Sequence, residues 1–185
     1  DKKFIVQGFG NVGYRAAYFL EKEGAILTAV QDAYGCITNE EGINVDQLLA
    51  YSQGNKGSIL GFSKARTIDS ADFFSLDCDI CIPAALGNQI TAKNANKIKA
   101  YLIAEGANGP TDVDAENILL KKGIEIIPDI LCNSGGVIGS YFEWLQNRNG
   151  EIWSLDEVME KLEKKMSASF TTVVETSKKR NVDMR

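Results

Sequence analysis

The sequence contains no histidine among its 185 residues. This absence excludes Ser-His-Asp and Cys-His nucleophilic catalysis, proton transfer by imidazole, and zinc held by histidine. Acid–base chemistry would therefore depend on Asp, Glu, Lys, Tyr or Cys side chains.

Cysteine is also sparse, with four residues scattered along the chain: Cys36, Cys78, Cys81 and Cys132. That number does not build a small disulfide scaffold, and free thiols in a reducing cytoplasm are the simpler interpretation. Cys78 and Cys81 have the spacing of a redox pair, but they fall in an apolar segment predicted to be a strand, where they would face opposite sides. No second pair completes a zinc site. We expect buried structural cysteines.

The chain has no block of basic residues and no long apolar run. Its 20 Lys and Arg against 25 Asp and Glu give a net charge of −5. An acidic chain of this kind is a poor candidate for binding nucleic acid or anionic membranes. No segment approaches the ~20 apolar residues that cross a bilayer, and the amino end lacks a basic-then-apolar signal. We expect a cytoplasmic location, and a single domain over residues 1–185.

Short β-branched runs bounded by glycine or proline alternate with amphipathic segments. This alternation predicts a Rossmann-like α/β fold, an open, mostly parallel sheet with helices on both faces. In the first helix Val12, Ala16, Phe19 and Leu20 have the spacing of a buried face, and Asn44 or Asp46 would cap a later short helix. The predicted strands cover residues 4–6, 25–30, 78–82, 101–104 and 124–127.

The last 35 residues predict one long helix. Ser154 and Glu157 form a capping box at its start, and apolar residues occupy every fourth position from Val158 to Val174. We expect this tail, residues 151–185, to dock through that stripe on the domain itself or toward a missing substrate domain. In the helix before it, the aromatic residues Tyr141, Phe142 and Trp144 are expected to pack mainly in the core.

A glycine-rich turn follows the first predicted strand and opens the first helix. In Gly8-x-Gly10-x-x-Gly13, Gly8 allows the tight turn, Gly10 lets the backbone approach a pyrophosphate, and Gly13 lets the helix pack on the strand. The N–H groups at a helix start carry partial positive charge toward phosphate. A merely structural glycine turn is the alternative, but the strand–turn–helix context favours dinucleotide binding.

Asp32 follows the second predicted strand, where an acid accepts hydrogen bonds from the ribose hydroxyls of NAD. The same charge repels the additional phosphate of NADP, and no Lys or Arg lies between Asp32 and Asn44 to compensate. The sequence therefore favours NAD over NADP. The alternative is that Asp32 is only a solvated turn residue.

Three further loops follow predicted strands and are rich in small and amide side chains: residues 83–85, 105–108 and 133–136. Ligands of open α/β sheets bind beyond the carboxyl ends of the strands. Small residues leave room for a flat nicotinamide ring, and the amides of Asn108 and Asn133 could pair with its carboxamide. Taken alone, the pattern also fits ordinary structural turns.

With these motifs, the sequence resembles the cofactor domain of the glutamate/leucine/phenylalanine/valine dehydrogenase family, and most of all its glutamate-specific branch. The resemblance spans most of the chain in the expected order. It departs from the family at Gly87, where an acid is common, and at Gly139, where a larger residue is common. The matching segments are residues 6–13, 78–85, 88–91, 105–111, 128–131, 133–137, 140–144 and 146–147.

The resemblance implies a site for each part of the cofactor and substrate. The glycine turn with Asn11 would hold the pyrophosphate, Asn108 and Asn133 would lie near the nicotinamide, and Ser140 would reach the side-chain carboxylate of glutamate. The predicted cofactor-binding residues are Gly8, Phe9, Gly10, Asn11, Val12, Gly13, Asp32, Ala84, Ala85, Asn108 and Asn133.

The family's catalytic lysine and aspartate lie on an amino-terminal substrate domain, and nothing like that lysine motif occurs in this sequence. The resemblance thus implies an excised carboxyl-terminal cofactor domain, inactive alone. Its parent would be a homo-hexamer that oxidises L-glutamate to 2-oxoglutarate and ammonia with NAD. The alternatives are the same domain of a leucine or phenylalanine dehydrogenase, or a stand-alone NAD-binding module without catalysis.

Overall fold

A seven-stranded sheet organises the chain in the computed structural model, which describes residues 2–185. The spatial order is β4-β3-β2-β1-β5-β6-β7, so the first strand is central and the chain winds outward from it in both directions. The strands are β1 (Lys3–Gln7), β2 (Ile26–Gln31), β3 (Cys36–Thr38), β4 (Arg66–Ile68), β5 (Ile80–Pro83), β6 (Leu102–Ala104) and β7 (Glu125–Ile127).

Four of the six strand pairings are parallel, which confirms the predicted mostly parallel sheet. The exceptions involve the edge strands: β3 pairs antiparallel with β2, and β4 pairs antiparallel with β3. Neither strand is among those predicted from the sequence. Each has only three residues and includes polar ones, so neither shows the continuous apolar run that marks the predicted strands.

Helices cover both faces of the sheet, as predicted. They are α1 (Asn11–Lys22), α2 (Val45–Gly54), α3 (Val113–Lys121), α4 (Asp129–Cys132), α5 (Gly135–Asn149) and α6 (Leu155–Arg180), with 3-10 turns at Ser70–Ser75 and Ala95–Lys97.

Alternate residues of β1 enter two separate cores, because successive side chains of a strand point to opposite faces. Phe4 and Val6 pack in the core beneath α1 and α2, whereas Ile5 packs in the core beneath α3 and the 3-10 turns. All three side chains are almost wholly buried. A strand with apolar residues at consecutive positions is therefore explained by helices on both sides.

The buried face of α1 differs from the predicted one. Gly13 and Ala17 are buried and Leu20 is half-buried, whereas Phe19 is 56% exposed and Val12 is 51% exposed. The prediction chose the larger apolar residues, but the helix packs on β1 through its smallest ones. A close approach between helix and strand requires small side chains at their contact.

Side-chain caps define the starts of three helices. Asn44 caps α2 by accepting a hydrogen bond from the Gln47 N–H at 2.9 Å, so the first of the two predicted capping residues is the correct one. Asp112 caps α3 in the same way through Ala115. The predicted capping box of α6 is confirmed, with Ser154 and Glu157 bonded reciprocally.

The apolar stripe of α6 packs against the domain itself. The Leu162 side chain approaches Gly135 at the start of α5, and the Ser134 hydroxyl lies 3.2 Å from the sulfur of Met166. Phe170 and Val174 line a groove of about 530 Å³ beside β7. The stripe is half-buried rather than enclosed, and docking of the tail toward a further domain stays a prediction.

The expectation that three aromatic residues of α5 pack mainly in the core is wrong for two of them. Phe142 is buried against Trp153, but Tyr141 is 47% exposed and Trp144 is 51% exposed. Their rings stack on each other with centroids 6.0 Å apart, and the Arg148 guanidinium lies over Trp144. Positions 141 and 144 share one side of α5, and that side is partly open to solvent.

All four cysteines are free thiols in the structure, and Cys36 and Cys81 are fully buried. The expectation that Cys78 and Cys81 face opposite sides is wrong. Cys78 precedes β5, which begins at Ile80, and both side chains contact the same core. Burial raises the pKa of Cys78 to about 12 and that of Cys81 well above its ordinary range, so neither is a reactive thiolate.

Candidate functional site

The glycine turn between β1 and α1 needs glycine for close backbone approach at Gly8 and Gly13, whereas Gly10 borders open space. Gly8 has φ +90°, and a Cβ there would lie 2.7 Å from the Ala84 carbonyl oxygen. A Cβ on Gly13 would overlap the Gly8 carbonyl oxygen and lie 2.9 Å from its carbon. A Cβ on Gly10 would meet nothing within 4 Å, so glycine there leaves space above the backbone rather than relieving a clash.

The start of α1 presents unpaired N–H groups toward that space. Gly10 is the N-cap and has no side chain to accept from them, and the first turn contains no acidic residue. The start of α5 has the same character, since its N-cap Ser134 makes no capping bond and no acid lies in its first turn. By contrast, the first turns of α2, α3, α4 and α6 all carry acids. Both free helix starts are therefore suited to an anionic group.

Backbone hydrogen bonds continue beyond the strands and hold the loops side by side. The Gly8 N–H donates to the Gln31 carbonyl at 2.6 Å, and the Ala84 N–H donates to the Gln7 carbonyl at 2.7 Å. The Ala107 N–H donates to the Pro83 carbonyl at 2.9 Å. The glycine turn, Asp32 and the loops after β5 and β6 therefore share one edge of the sheet.

An open cleft of about 570 Å³ lies at this edge, between the start of α1 and the start of α5. It combines apolar walls with two amide side chains, as expected of a site for a flat polar ring. The lining residues are Val12, Ala84, Ala85, Leu86, Gly87, Gly106, Ala107, Asn108, Asn133, Gly136 and Val137.

The two predicted amide residues contact each other in the cleft. The Asn133 Nδ2 donates to Asn108 Oδ1 at 2.7 Å and to the Ala107 carbonyl at 3.2 Å. This leaves the Asn108 Nδ2 with no partner in the described chain, and Asn108 is exposed. An incoming carboxamide could accept from that group.

Asp32 follows β2 as predicted, and its carboxylate is already extensively bonded. One oxygen accepts from the N–H groups of Tyr34 and Gly35 at 2.7 and 2.9 Å, and the other accepts from Ile59 at 2.8 Å. A carboxylate has about four acceptor positions, so one remains for a ligand hydroxyl. Within residues 2–185, no Lys or Arg nitrogen lies within 4.0 Å of this carboxylate.

Three further predicted residues, Phe9, Asn11 and Ser140, are not among those that line the cleft. Asn11 is the first residue of α1 and is exposed, whereas the Phe9 ring packs edge-on against Tyr14, 6.1 Å between centroids. Ser140 is one turn further along α5 than Gly136, and its exposed hydroxyl donates to the Gly136 carbonyl at 3.2 Å.

Sequence reasoning missed two apolar residues of the cleft, Leu86 and Val137, which are 70% and 74% exposed. Their signal was position alone, since each is next to a segment already assigned to the site. In the part of the chain that the structure describes, no cluster of three metal-ligating side chains occurs. Nor does any helix there combine the length and apolar composition needed to cross a membrane.

The family model for glutamate/leucine/phenylalanine/valine dehydrogenases matches residues 1–185, the whole chain. The chain belongs to this family. This match confirms the predicted family. The predicted fold is also confirmed, because solved glutamate dehydrogenase structures share it.

Individual glutamate dehydrogenases resemble the chain over nearly its full length. A Staphylococcus aureus relative named NAD-specific glutamate dehydrogenase is 45% identical over 183 residues, which cover 99% of this chain and 44% of the relative. The hetero-hexameric glutamate dehydrogenase of Thermus thermophilus superposes with a TM-score of 0.88 at 29% identity, over 100% of this chain and 43% of that one. The glutamate dehydrogenase of Peptoniphilus asaccharolyticus superposes with a TM-score of 0.81 at 37% identity, over 100% of this chain and 42% of that one. This dehydrogenase-family chain therefore spans less than half the length of these relatives.

Proposed function

We propose that the chain is the cofactor-binding domain of an NAD-dependent glutamate dehydrogenase. The observation that carries the proposal is the uncapped start of α1 at Gly10, which follows β1 at the edge of the sheet where Asp32 follows the neighbouring strand β2. The ends of these two strands are joined by the 2.6 Å hydrogen bond from the Gly8 N–H to the Gln31 carbonyl. The S. aureus relative, named for NAD, supports this choice of cofactor.

Each part of the dinucleotide has a group in the structure that suits it. The free N–H groups of Asn11, Val12 and Gly13 would bind the pyrophosphate, because they carry partial positive charge and face no protein acceptor. The free acceptor position of Asp32 would take a ribose hydroxyl. Ala84 and Ala85 would lie under the nicotinamide, with the Asn108–Asn133 pair beside its carboxamide.

When bound, NAD would accept the hydride removed from the α-carbon of glutamate. Water would then hydrolyse the resulting imine to 2-oxoglutarate and ammonia. This chain would orient the ring that receives the hydride and would exclude water from one side of it. The proton transfers would use a lysine and an aspartate outside this chain. We therefore propose that the 185 residues bind cofactor but catalyse no turnover alone.

Calorimetry with NAD and NADP, and an absorbance assay with glutamate and NAD, test the proposal on this chain. We expect saturable NAD binding, weaker NADP binding and no NADH formation. Absence of NAD binding would refute the assigned site, whereas NADH formation would refute the assignment of catalysis to residues outside the chain.

Substrate choice is proposed to involve Ser140, whose exposed hydroxyl lies one helical turn from the cleft. A hydroxyl there can donate to the side-chain carboxylate of glutamate, which leucine and phenylalanine lack. In the full-length enzyme, Ser140→Val should reduce kcat/KM for glutamate at least tenfold without reducing any activity on leucine. An unchanged preference for glutamate would exclude this role for Ser140.

For the full-length protein we propose a cytoplasmic homo-hexamer. The hetero-hexameric T. thermophilus relative supports an assembly of six chains. Sedimentation of the full-length protein would test it, with a species of six chains as the expected result.

A further inference from the structure

Glu105 is a fully buried carboxylate directly after β6, next in sequence to Gly106, which lines the candidate cleft. One oxygen, Oε2, accepts from the Asp129 N–H at 2.9 Å and from the guanidinium of Arg185. The other, Oε1, is buried and has no partner. A buried charge is costly unless it is paired, so a fully enclosed carboxylate at this place requires an explanation.

The Glu105 side chain connects to the cleft through Asp129. The Asp129 N–H is held by Glu105, and the Asp129 Oδ2 accepts from the Gly109 N–H at 2.8 Å. Gly109 directly follows Asn108, the cleft residue that accepts from Asn133. The Asp129 carboxylate therefore fixes the loop that carries Asn108.

The same residue also fixes the other member of the amide pair. Asp129 begins α4, and the Asn133 N–H at the end of that short helix donates to the Asp129 carbonyl at 2.9 Å. Glu105 thus holds the first residue of α4 in place, and both Asn108 and Asn133 are positioned from that residue. The 2.7 Å bond between the two amides depends on this arrangement.

The positive charge comes from the tail beyond α6. Val182 and Met184 lie in the groove beside β7, and the Arg185 guanidinium reaches inward from there to Glu105. The Arg185 Nε also lies 3.2 Å from the partly buried Glu116 on α3. Within residues 2–185, Arg185 is the only Lys or Arg with a side-chain nitrogen within 4.0 Å of Glu105.

We propose that Glu105 is a positioning residue for the nicotinamide half of the site, acting through Asp129, and that Arg185 is its counter-ion. The inference rests on the proposed function, since it assigns the Asn108–Asn133 pair to the nicotinamide. It adds that the tail and the cleft are coupled, because a charge on the tail stabilises the group that orients the cleft.

Titration with two ligands separates positioning from general damage. ADP-ribose contains the pyrophosphate and both riboses of NAD but lacks the nicotinamide, so it does not report on the Asn108–Asn133 pair. We expect Glu105→Ala to raise the Kd for NAD at least tenfold and to change the Kd for ADP-ribose less than twofold. Glu105→Gln keeps an acceptor oxygen for the Asp129 N–H and should restore NAD binding to within threefold of the wild type.

Asp129 provides a second variant if Glu105→Ala does not fold, since Asp129 is only partly buried. Asp129→Ala removes the acceptor for the Gly109 N–H and should weaken the binding of NAD but not that of ADP-ribose. Asp129→Asn keeps an acceptor oxygen and should restore NAD binding. Arg185→Gln should raise the Kd for NAD about threefold in the wild-type background and have no further effect in the Glu105→Gln background.

The outcomes distinguish this inference from the proposed function. Failure of the wild-type chain to bind either ligand would overturn both. Normal wild-type binding, with equal losses of NAD and ADP-ribose in the Glu105→Ala and Asp129→Ala variants, or with no losses, would overturn the positioning role alone.

Discussion

Two glycines of the turn, Gly10 and Gly13, should respond differently to the same one-carbon change. Gly10→Ala places a methyl group in open space, at φ −84°, which any residue adopts. The cost to folding is limited to a poorer N-cap, about 1 kcal/mol at most, or about 2–4 °C in Tm for a chain of this size. The same methyl would occupy the space through which a pyrophosphate reaches the N–H groups. We expect NAD affinity to fall at least tenfold, or about 1.4 kcal/mol.

Gly13→Ala should show the opposite balance. Its Cβ would overlap the Gly8 carbonyl oxygen and lie 2.9 Å from its carbon, whereas unstrained carbon contacts are ~3.5–4.0 Å. The obstacle is backbone, so α1 and the turn must separate. Overpacking of this kind costs about 3 kcal/mol, which corresponds to a fall of about 6–12 °C in Tm.

Thermal melts and NAD titrations of both variants measure the contrast. Gly54→Ala is a matched control, because a Cβ there also meets nothing within 4 Å and the residue ends α2, outside the residues that line the cleft. It should leave both Tm and NAD affinity near the wild-type values. The reasoning is refuted if Gly10→Ala binds NAD normally, or if Gly13→Ala melts at the wild-type temperature.

Three other predictions follow from side-chain contacts. Asp32→Asn removes the charge that opposes the additional phosphate of NADP. The ratio of the Kd for NADP to the Kd for NAD should therefore fall about tenfold in parallel titrations. An unchanged ratio would exclude Asp32 as the residue that discriminates between the two cofactors. Burial raises the pKa of Cys36 and Cys78 to about 12 from an ordinary value near 9. The folded chain therefore retains protons that the unfolded chain releases. The contribution of these thiols to the free energy of unfolding, measured with urea, should be fully present below pH 9 and decrease from pH 9 toward 12. Stability that rose from pH 9 toward 12 would contradict the burial. Ser154→Ala removes the hydroxyl of the α6 capping box and should lower Tm by about 2–4 °C, whereas no change would mean that tail docking alone stabilises the helix start.

Local patterns in the sequence predicted the parts of the fold that depend on neighbouring residues. The glycine turn, the capping box at Ser154 and the cap at Asn44 involve residues at most five apart, so their spacing can be recognised directly. The central strands were also predictable, because burial on both faces requires continuous apolar runs such as Phe4 to Val6.

Predictions failed where the answer depended on what packs against a residue. Phe19 and Trp144 were assigned to the interior on hydrophobicity, but the first lies on the far side of α1 and the second on an open side of α5. A hydrophobic side chain favours burial, but its hydrophobicity does not indicate whether another surface is present to pack against it. For α1 the partner surface required small residues instead.

By itself, the sequence determined a dinucleotide-type turn, an acid placed after the second strand, and an order of strands and helices that allows few topologies. The tertiary structure alone decided that Asp32 has one acceptor position left, that Asn108 meets Asn133, and that Arg185 reaches Glu105. These contacts join residues between 25 and 80 positions apart. No local spacing encodes such contacts. They form only when the sheet has assembled and the tail has docked, because these bring distant parts of the chain together.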